Sequence, residues 1–483
     1  MRILSGIGHN NCRVVYRKNV WKSNTAHIGV KHTFVKVKTM AIDTTGNKFG
    51  PVWLTPGIGK SNAWTLMYAA FFTIGLLTFI GISTPYVLSE ILKIPTGEQG
   101  QISGTLVFWT EVVTLIVFGP VGVAADRIGR KSVYLFGFLT MGVGYALYPT
   151  ADTVTELIAY RLIYAIGIAT TTGMLATIVT DYPQEESRGK LVGIVGAMTG
   201  LGIVFINLVF GSLPERFVAS GMDGTEAGEM VHWLVASLCV LSTIALWFGL
   251  KDGTPAKEED KPSIRELAVS AFRQGIRNPR IALSYGAAFI ARGDLVILGT
   301  FLTLWGTTSG VNNGLPTDEA TTKATLTFVT AQSAALVWTL FIVFFIDKFN
   351  RTGFLAFCMA IAALGYLGMG MVDDPTAASA RPFVILLGIG QISAFFGSQA
   401  LIGQEAPLAE RGAVIGGFNI LGALGILVCS VAGGWLFDSV SPGATFVMIG
   451  LINAFIFLVA IAVRLKAPGR MPGDPDENVI AAR

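Results

Sequence analysis

The sequence predicts an all-α integral membrane protein with 12 transmembrane helices in two six-helix bundles. Three observations carry that reading. Hydrophobic residues make up 52% of the 483-residue chain and charged residues 14%, with a mean hydropathy of +0.60. Soluble domains carry about a quarter charged residues. Apolar runs long enough to cross a bilayer, which takes about 20 residues, recur twelve times. A charged, proline-containing break from Lys251 to Arg280 divides them six and six.

The elements follow in chain order. Residues 1–60 hold no run of spanning length. Up to Ile42 they carry eight Lys or Arg and no acid, too polar for a signal-peptide core. The reading adopted is a basic, disordered tail. An organelle transit peptide, or an extension upstream of a start at Met40, are the alternatives. Ser61 to Leu88 is uncharged and supplies the first span. Further runs lie at about 104–124, 133–153, 156–180, 190–213 and 231–250, giving a first bundle over 61–250. After the 251–280 linker come 281–306, 324–346, 353–372, 382–403, 412–436 and 443–464, a second bundle over 281–466, and a tail at 467–483. Within the linker, Ile264, Leu267, Ala268, Ala271 and Phe272 recur at helical spacing among Arg265, Arg273 and Arg277. That pattern predicts a short amphipathic helix on the membrane surface, or a soluble linker helix.

Basic residues set the orientation. With both termini cytoplasmic, 19 Lys or Arg beyond residue 60 fall in the inner loops, linker and tail. Four fall outside: Lys93, Arg216, Lys323 and Arg381. Positive loops stay inside, so a multi-pass protein of the plasma (inner) membrane is expected. The longest outer loop, Pro214 to Met230, holds one Arg and four acids. The net charge of +4 is spread over separate short loops and gives no reason to expect nucleic acid.

Between the second and third runs stands Gly122-Val-Ala-Ala-Asp126-Arg127-Ile-Gly129-Arg130-Lys131. Gly122 would let two helices approach closely, and Gly129 would permit a turn a side chain blocks. Asp126 could cap a helix end or pair with an arginine. The stretch resembles the loop between helices two and three of major facilitator transporters, Gly-x-x-x-Asp-Arg-x-Gly-Arg-(Lys/Arg), at every defining position. Arg161-Leu-Ile-Tyr-Ala-Ile-Gly167 is similar to that family's Arg-x-x-x-Gly-x-Gly run, with Ala165 for the first glycine. Asp347-Lys-Phe-Asn-Arg351 is a worn second copy of the loop, with Val343 in the glycine position, and Glu410-Arg411-Gly412 echoes Ser187-Arg188-Gly189. Such echoes at matching positions fit an internal duplication. The resemblance covers about residues 62–466. It implies alternating access, a gating role for Gly122, Asp126, Arg127, Gly129 and Arg130, and a path lined by helices one, four, seven and ten. The helix-five Gly-Pro pair of that family's drug/proton antiporters is missing, since Gly196 to Gly211 holds no proline.

Charges inside a span cost at least about 2.5–3.5 kcal/mol each, so they are candidates for use. Four stand out: Glu111, Arg161, Arg292 and Asp294. Glu111 and Arg161 lie at depths differing by only about 3 Å, so a Glu111–Arg161 pair is allowed, as a static lock or as a proton-controlled contact. Arg292 and Asp294 lie near the bilayer middle and point about 200° apart, so only one can face a central cavity. Asp294 is chosen as the proton acceptor. Gln391, Gln399, Gln404 and Asn207 could bind polar groups, although such amides more often join helices. Trp109, Tyr164, Trp305, Phe395 and Phe396 could wall an apolar pocket. His9, His27, His32 and His232 are placed outside the helix interiors, and no His or Cys pair has metal-ligand spacing. Cys239, Cys358 and Cys429 read as packing residues.

No phosphate-binding loop of the Gly-x-x-x-x-Gly-Lys-Ser/Thr type occurs, and no nucleophile–base constellation, so neither an ATP-driven pump nor an enzyme is expected. No cofactor or metal is called for. The resemblance implies a monomeric secondary transporter coupling a small organic solute to protons by symport, and the two buried arginines favour an organic anion. Proton-driven efflux of drugs or amphiphilic lipids, or an uncoupled facilitator or sensor, are the alternatives.

Overall fold

A computed structural model describes residues 46–252, 264–346, 349–407 and 410–469. Its first half is α1 (Lys60–Tyr86), α2 (Gln99–Ile128), α3 (Arg130–Leu147), α4 (Val154–Asp181), α5 (Arg188–Gly211), the short α6 (Leu213–Ala219) and α7 (Gly224–Gly249). The linker contributes α8 (Ile264–Arg277). The second half is α9 (Pro279–Val296), α10 (Leu302–Asn312), α11 (Thr317–Ile346), α12 (Arg351–Met369), α13 (Arg381–Glu405), α14 (Arg411–Ser439) and α15 (Pro442–Lys466). A π-helical turn, Ile297–Phe301, joins α9 and α10 into one span. Another, Val87–Ile91, extends α1 just past Pro85, whose missing N–H already breaks the regular ladder. Among the described residues, eleven spans are long and apolar enough to cross a membrane. The twelfth, α3, has 18 residues and opens on Arg130 and Lys131. The fold is twelve membrane-spanning helices in two bundles of six.

Two expectations at the edges are corrected. The segment from Pro214 to Met230 is largely helical rather than loop. Asp223 caps α7 by accepting from the Thr225 N–H, so that helix begins seven residues before the apolar run. Residues 46–59 are not disordered tail. Lys48–Phe49 (β1) pairs antiparallel with Val52–Trp53 (β2) about Gly50, whose φ of +53° suits the turn. The hairpin then docks on the α4–α5 junction. The Gln184 N–H donates to Trp53 O, Thr55 N–H to Tyr182 O, and Trp53 N–H to Ser187 Oγ, at 2.9, 2.9 and 3.0 Å. Alternating apolar residues here are too few to show as a span, and their backbone is satisfied by the bundle.

The two halves repeat one packing device. Gly202 and Gly425 each lie 14 residues into their helices, α5 and α14. A Cβ at Gly202 would stand closer than 3.0 Å to the Phe71 carbonyl oxygen of α1; one at Gly425 would do the same at Phe289 of α9. Backbones this close are how membrane helices associate without a hydrophobic driving force. Matching positions in matching helices support the duplication. Of its worn loop, Asp347 and Lys348 lie outside the described residues.

The bundles touch at one end and part at the other. Near the start of α2, Gly100 and Gln101 donate their N–H groups to Asp438 of α14 at 2.9 and 2.7 Å. Gly104 backs onto Ser430 and Gly434 of α14, Gly211 of α5 onto Thr325 of α11, and Gly81 of α1 onto Thr300. Toward the basic loops the picture reverses. Gly119 and Gly122 of α2, Gly189, Gly193 and Gly196 of α5, and Gly412 and Gly416 of α14 face open space. Among the described residues the bundles therefore meet at the far end and stand apart at these basic-end glycines.

The linker helix α8 packs on the second bundle at that open end. Ala271 is buried there, Ser270 Oγ donates to Glu410, and Phe272 and Ile276 remain exposed. The hydrogen bond from Ser270, then that from Gln274, holds the Glu410 carboxyl below its ordinary range.

Candidate functional site

Two of the candidate residues, Glu111 of α2 and Arg292 of α9, lie where the two bundles meet, and the others lie within one bundle or the other. Helical spacing places Gly100, Gly104, Glu111 and Gly122 on one stripe of α2, and the first two touch α14. Glu111 thus faces the second bundle. Thr110, one residue earlier and about 100° round, faces α4 instead.

The expected Glu111–Arg161 pair is consequently absent. Arg161 donates its Nε–H to Thr110 Oγ1 at 3.1 Å, and its guanidinium lies over the rings of Tyr164 and Tyr148, 5.2 and 5.8 Å from their centroids. It is 5% exposed, one terminal nitrogen has no partner, and no carboxylate lies within 4 Å among the described residues. The aromatic faces offset part of that buried charge.

Glu111 and Arg292 of α9, one from each bundle, interact electrostatically without an ion pair within 4 Å among the described residues. Glu111 is 12 residues from the far end of α2 and Arg292 is 13 residues from the basic end of α9, so both lie near mid-membrane. Arg292 also donates to Asn419 Oδ1 of α14 at 3.4 Å. Asp294, two residues on, is turned the opposite way. It is fully buried, accepts from Asn453 Nδ2 of α15 at 3.2 and 3.4 Å, and its main-chain carbonyl accepts from the Tyr366 hydroxyl of α12 at 2.9 Å. So Arg292 lies against α14, partly exposed, and Asp294 lies inside the second bundle.

Gln391 falls on the buried stripe Leu387, Gln391, Ala394, Ser398 and Leu401 of α13. Gln399 and Gln404 line a separate recess of about 540 Å³ with Phe396 and Arg351. Asn207 joins helices, donating to Thr78 Oγ1 of α1 at 2.8 Å. Of the aromatics, Tyr164 contacts Arg161, Trp305 packs on Phe446, and Trp109 is exposed.

The loop after α2 is tied to the first bundle. Gly129 adopts φ +91°, as expected for a turn closed to side chains. Arg130 Nε lies 2.9 Å from Asp181 Oδ2 at the end of α4, an ion pair by distance although not aligned as a hydrogen bond. Asp126 and Arg188 also act electrostatically on Asp181. Arg127 is exposed. Gly122 is the exception: among the described residues nothing lies within 4 Å, so its expected close helix approach is not made in this state. An ion pair at the same end of the second bundle escaped the sequence reading: Arg280 Nε in the first turn of α9 lies 2.8 Å from Glu405 at the end of α13.

His232 is also corrected. It lies in α7, 1% exposed, with Nδ1 2.8 Å from Gly228 O and Nε2 3.1 Å from Ser83 Oγ. A carbonyl only accepts, so these partners assign the hydrogen to Nδ1. Its ring neighbours Tyr145 and Tyr148, the second of which also borders Arg161. The signal was present: Asp223 followed three residues later by Glu226 is a helix-start signature that moves His232 well inside.

Comparison with known proteins places this geometry. The profile of the Major Facilitator Superfamily matches residues 66–428. The magnetosome protein MamH of Paramagnetospirillum magneticum is 26% identical over 415 residues, covering 83% of this chain and 91% of that protein. The magnetosome protein MamZ of the same organism is 26% identical over 439 residues, and the match spans 63% of its length. Among solved structures, the nucleoside transporter NupG aligns with a TM-score of 0.65 at 14% identity, over 83% of this chain and 98% of that one. The inward open xylose transporter XylE from E. coli aligns at 0.65 and 16%, over 87% and 99%. Both share the twelve-helix fold. With three quarters of its length matched to the profile, the chain belongs to the Major Facilitator Superfamily.

Proposed function

We propose that this transporter is a proton-coupled symporter of a small organic anion, acting at the plasma membrane with its basic end cytoplasmic. The observation that carries the proposal is that Glu111 and Arg292, one from each bundle, lie at like depth near mid-membrane and within electrostatic reach of one another. Neither charge is cheap at that depth. While Glu111 is ionised it competes with any anion for Arg292. A proton on Glu111 removes the competitor and leaves Arg292 to the substrate. Proton and anion binding thereby favour each other, as symport requires. The same step alters the attraction between the bundles, which links occupancy to alternating access. Arg161, buried with one guanidinium nitrogen unpartnered, supplies a second cation behind Thr110. Gln391 is an amide buried in the second bundle, and Asp294 is a second proton-accepting carboxyl in the same bundle.

Proteoliposomes presented externally with a panel of small carboxylates test this. An inward proton gradient drives accumulation of at least one anion in the wild type. Accumulation driven by the opposite gradient would instead mean efflux, and indifference to the gradient would mean an uncoupled facilitator. Either outcome rejects the symport reading.

A further inference from the structure

A second site lies away from Glu111 and Arg292, on the outer wall of the second bundle at the basic end. The end of α11, the first turn of α12 and the last turn of α15 enclose a groove of about 350 Å³. That is within the range of small-molecule pockets. Its walls are Trp338, Phe345, Phe349, Phe354 and Phe357, with Arg464 at the rim. Phe345, Phe349 and Phe357 are 42%, 53% and 52% exposed, and the first two rings are stacked, 6.3 Å apart. The rim is not a loose side chain. The Arg464 guanidinium lies flat against Gly353, where an added Cβ would meet it at 2.7 Å. No carboxylate lies within 4 Å of Arg464 among the described residues. Trp338 is fixed by its Nε1–H donating to Ser393 Oγ at 2.9 Å.

We infer that this groove holds one anionic phospholipid of the surrounding leaflet, with its phosphate on Arg464 and an acyl chain along Phe345, Phe349 and Phe357. Three features converge on that occupant. The walls are aromatic and exposed on a membrane-spanning protein, so what covers them is hydrocarbon. The cation stands where α15 leaves the apolar zone, at headgroup level. Among the described residues no carboxylate compensates its positive charge, and a headgroup phosphate would. A neutral lipid would satisfy the walls and leave the arginine, whereas a soluble anion would satisfy the arginine and leave the walls.

The test is native mass spectrometry of the delipidated full-length protein with phosphatidylglycerol or phosphatidylcholine of identical chains. The wild type should retain one phosphatidylglycerol about fivefold more readily, the weight of one basic residue at an anionic surface. Arg464→Gln should bring the ratio to about one, and Arg464→Lys should preserve it. A Phe349→Ser, Phe357→Ser double variant should lower retention of both lipids. Equal retention by the wild type, or an unchanged ratio in Arg464→Gln, overturns the inference. So does full displacement of phosphatidylglycerol by millimolar inorganic phosphate, which would mark a soluble-anion site. Should Arg464→Gln not fold, a lysine variant without the preference would serve equally to overturn it.

Discussion

Gly104→Ala should tip the molecule out of the conformation seen here. Gly104 sits in the seal at the far end, where an added Cβ would stand closer than 3.0 Å to the Ser430 carbonyl oxygen of the other bundle. Its neighbours on that side are backbone, Ser430 C at 3.2 Å and Gly434 Cα at 3.4 Å, so no flexible side chain can yield. Overpacking of this kind costs about 1–3 kcal/mol. The cost falls only on the state in which the seal is shut. At about 1.4 kcal/mol per factor of ten, the equilibrium moves some 5- to 150-fold toward the state parted at this end. Gly122→Ala is the control of opposite sign. It meets nothing here, so it leaves this state unharmed and penalises one in which α2 closes on its partner at the basic end. The assay is a spin-label distance between Ile128 on α2 and Ile420 on α14, both exposed. Gly104→Ala should shorten the dominant distance and Gly122→Ala should lengthen or keep it. An unchanged or longer distance in Gly104→Ala would refute the assignment of the seal.

Three further outcomes are expected. Asp294→Asn should abolish gradient-driven accumulation while sparing counterflow exchange; full accumulation would remove Asp294 from proton coupling. Arg130→Ala should slow turnover by less than about fivefold and leave substrate affinity unchanged, because the partly exposed pair with Asp181 contributes under about 1 kcal/mol; a collapse of binding would contradict the gating role. Removing residues 1–55 should raise amide hydrogen exchange at 182–188, where the hairpin supplies three hydrogen bonds of about 1 kcal/mol each. No change there would mean the α4–α5 junction holds itself.

Hydropathy was sufficient to place the spans, because every bilayer crossing must be about twenty residues and apolar. It failed where helices run on into polar ends. The extra turns before Val231 are held by the Asp223 cap rather than by hydrophobicity, and His232 was misplaced with them; α11 likewise begins at Thr317, before its apolar run. Depth along a helix was also legible, since a fixed rise per residue puts Glu111, Arg161 and Arg292 on a common scale. Direction around the helix was not. Whether Glu111 meets Arg161 or Arg292 turns on where α2 contacts α14, which Gly100 and Gly104 reveal only once both helices are in place. The same holds for Asp294. Its separation from Arg292 of about 200° said that only one of them could face a central cavity, while the choice between them depended on Asn453, 159 residues away. The hairpin at 48–53 is too short for any periodicity and is stabilised by a partner distant in sequence.

The most direct measurement is anion affinity as a function of pH, from the acid to the neutral range, in the wild type and in Glu111→Gln, for an anion that the uptake screen identifies. The wild type should bind more weakly as the pH rises and Glu111 ionises beside Arg292. The glutamine variant, fixed in the neutral form, should bind at the tighter level throughout. A glutamine variant that keeps the full pH dependence would contradict the proposed link between proton and anion.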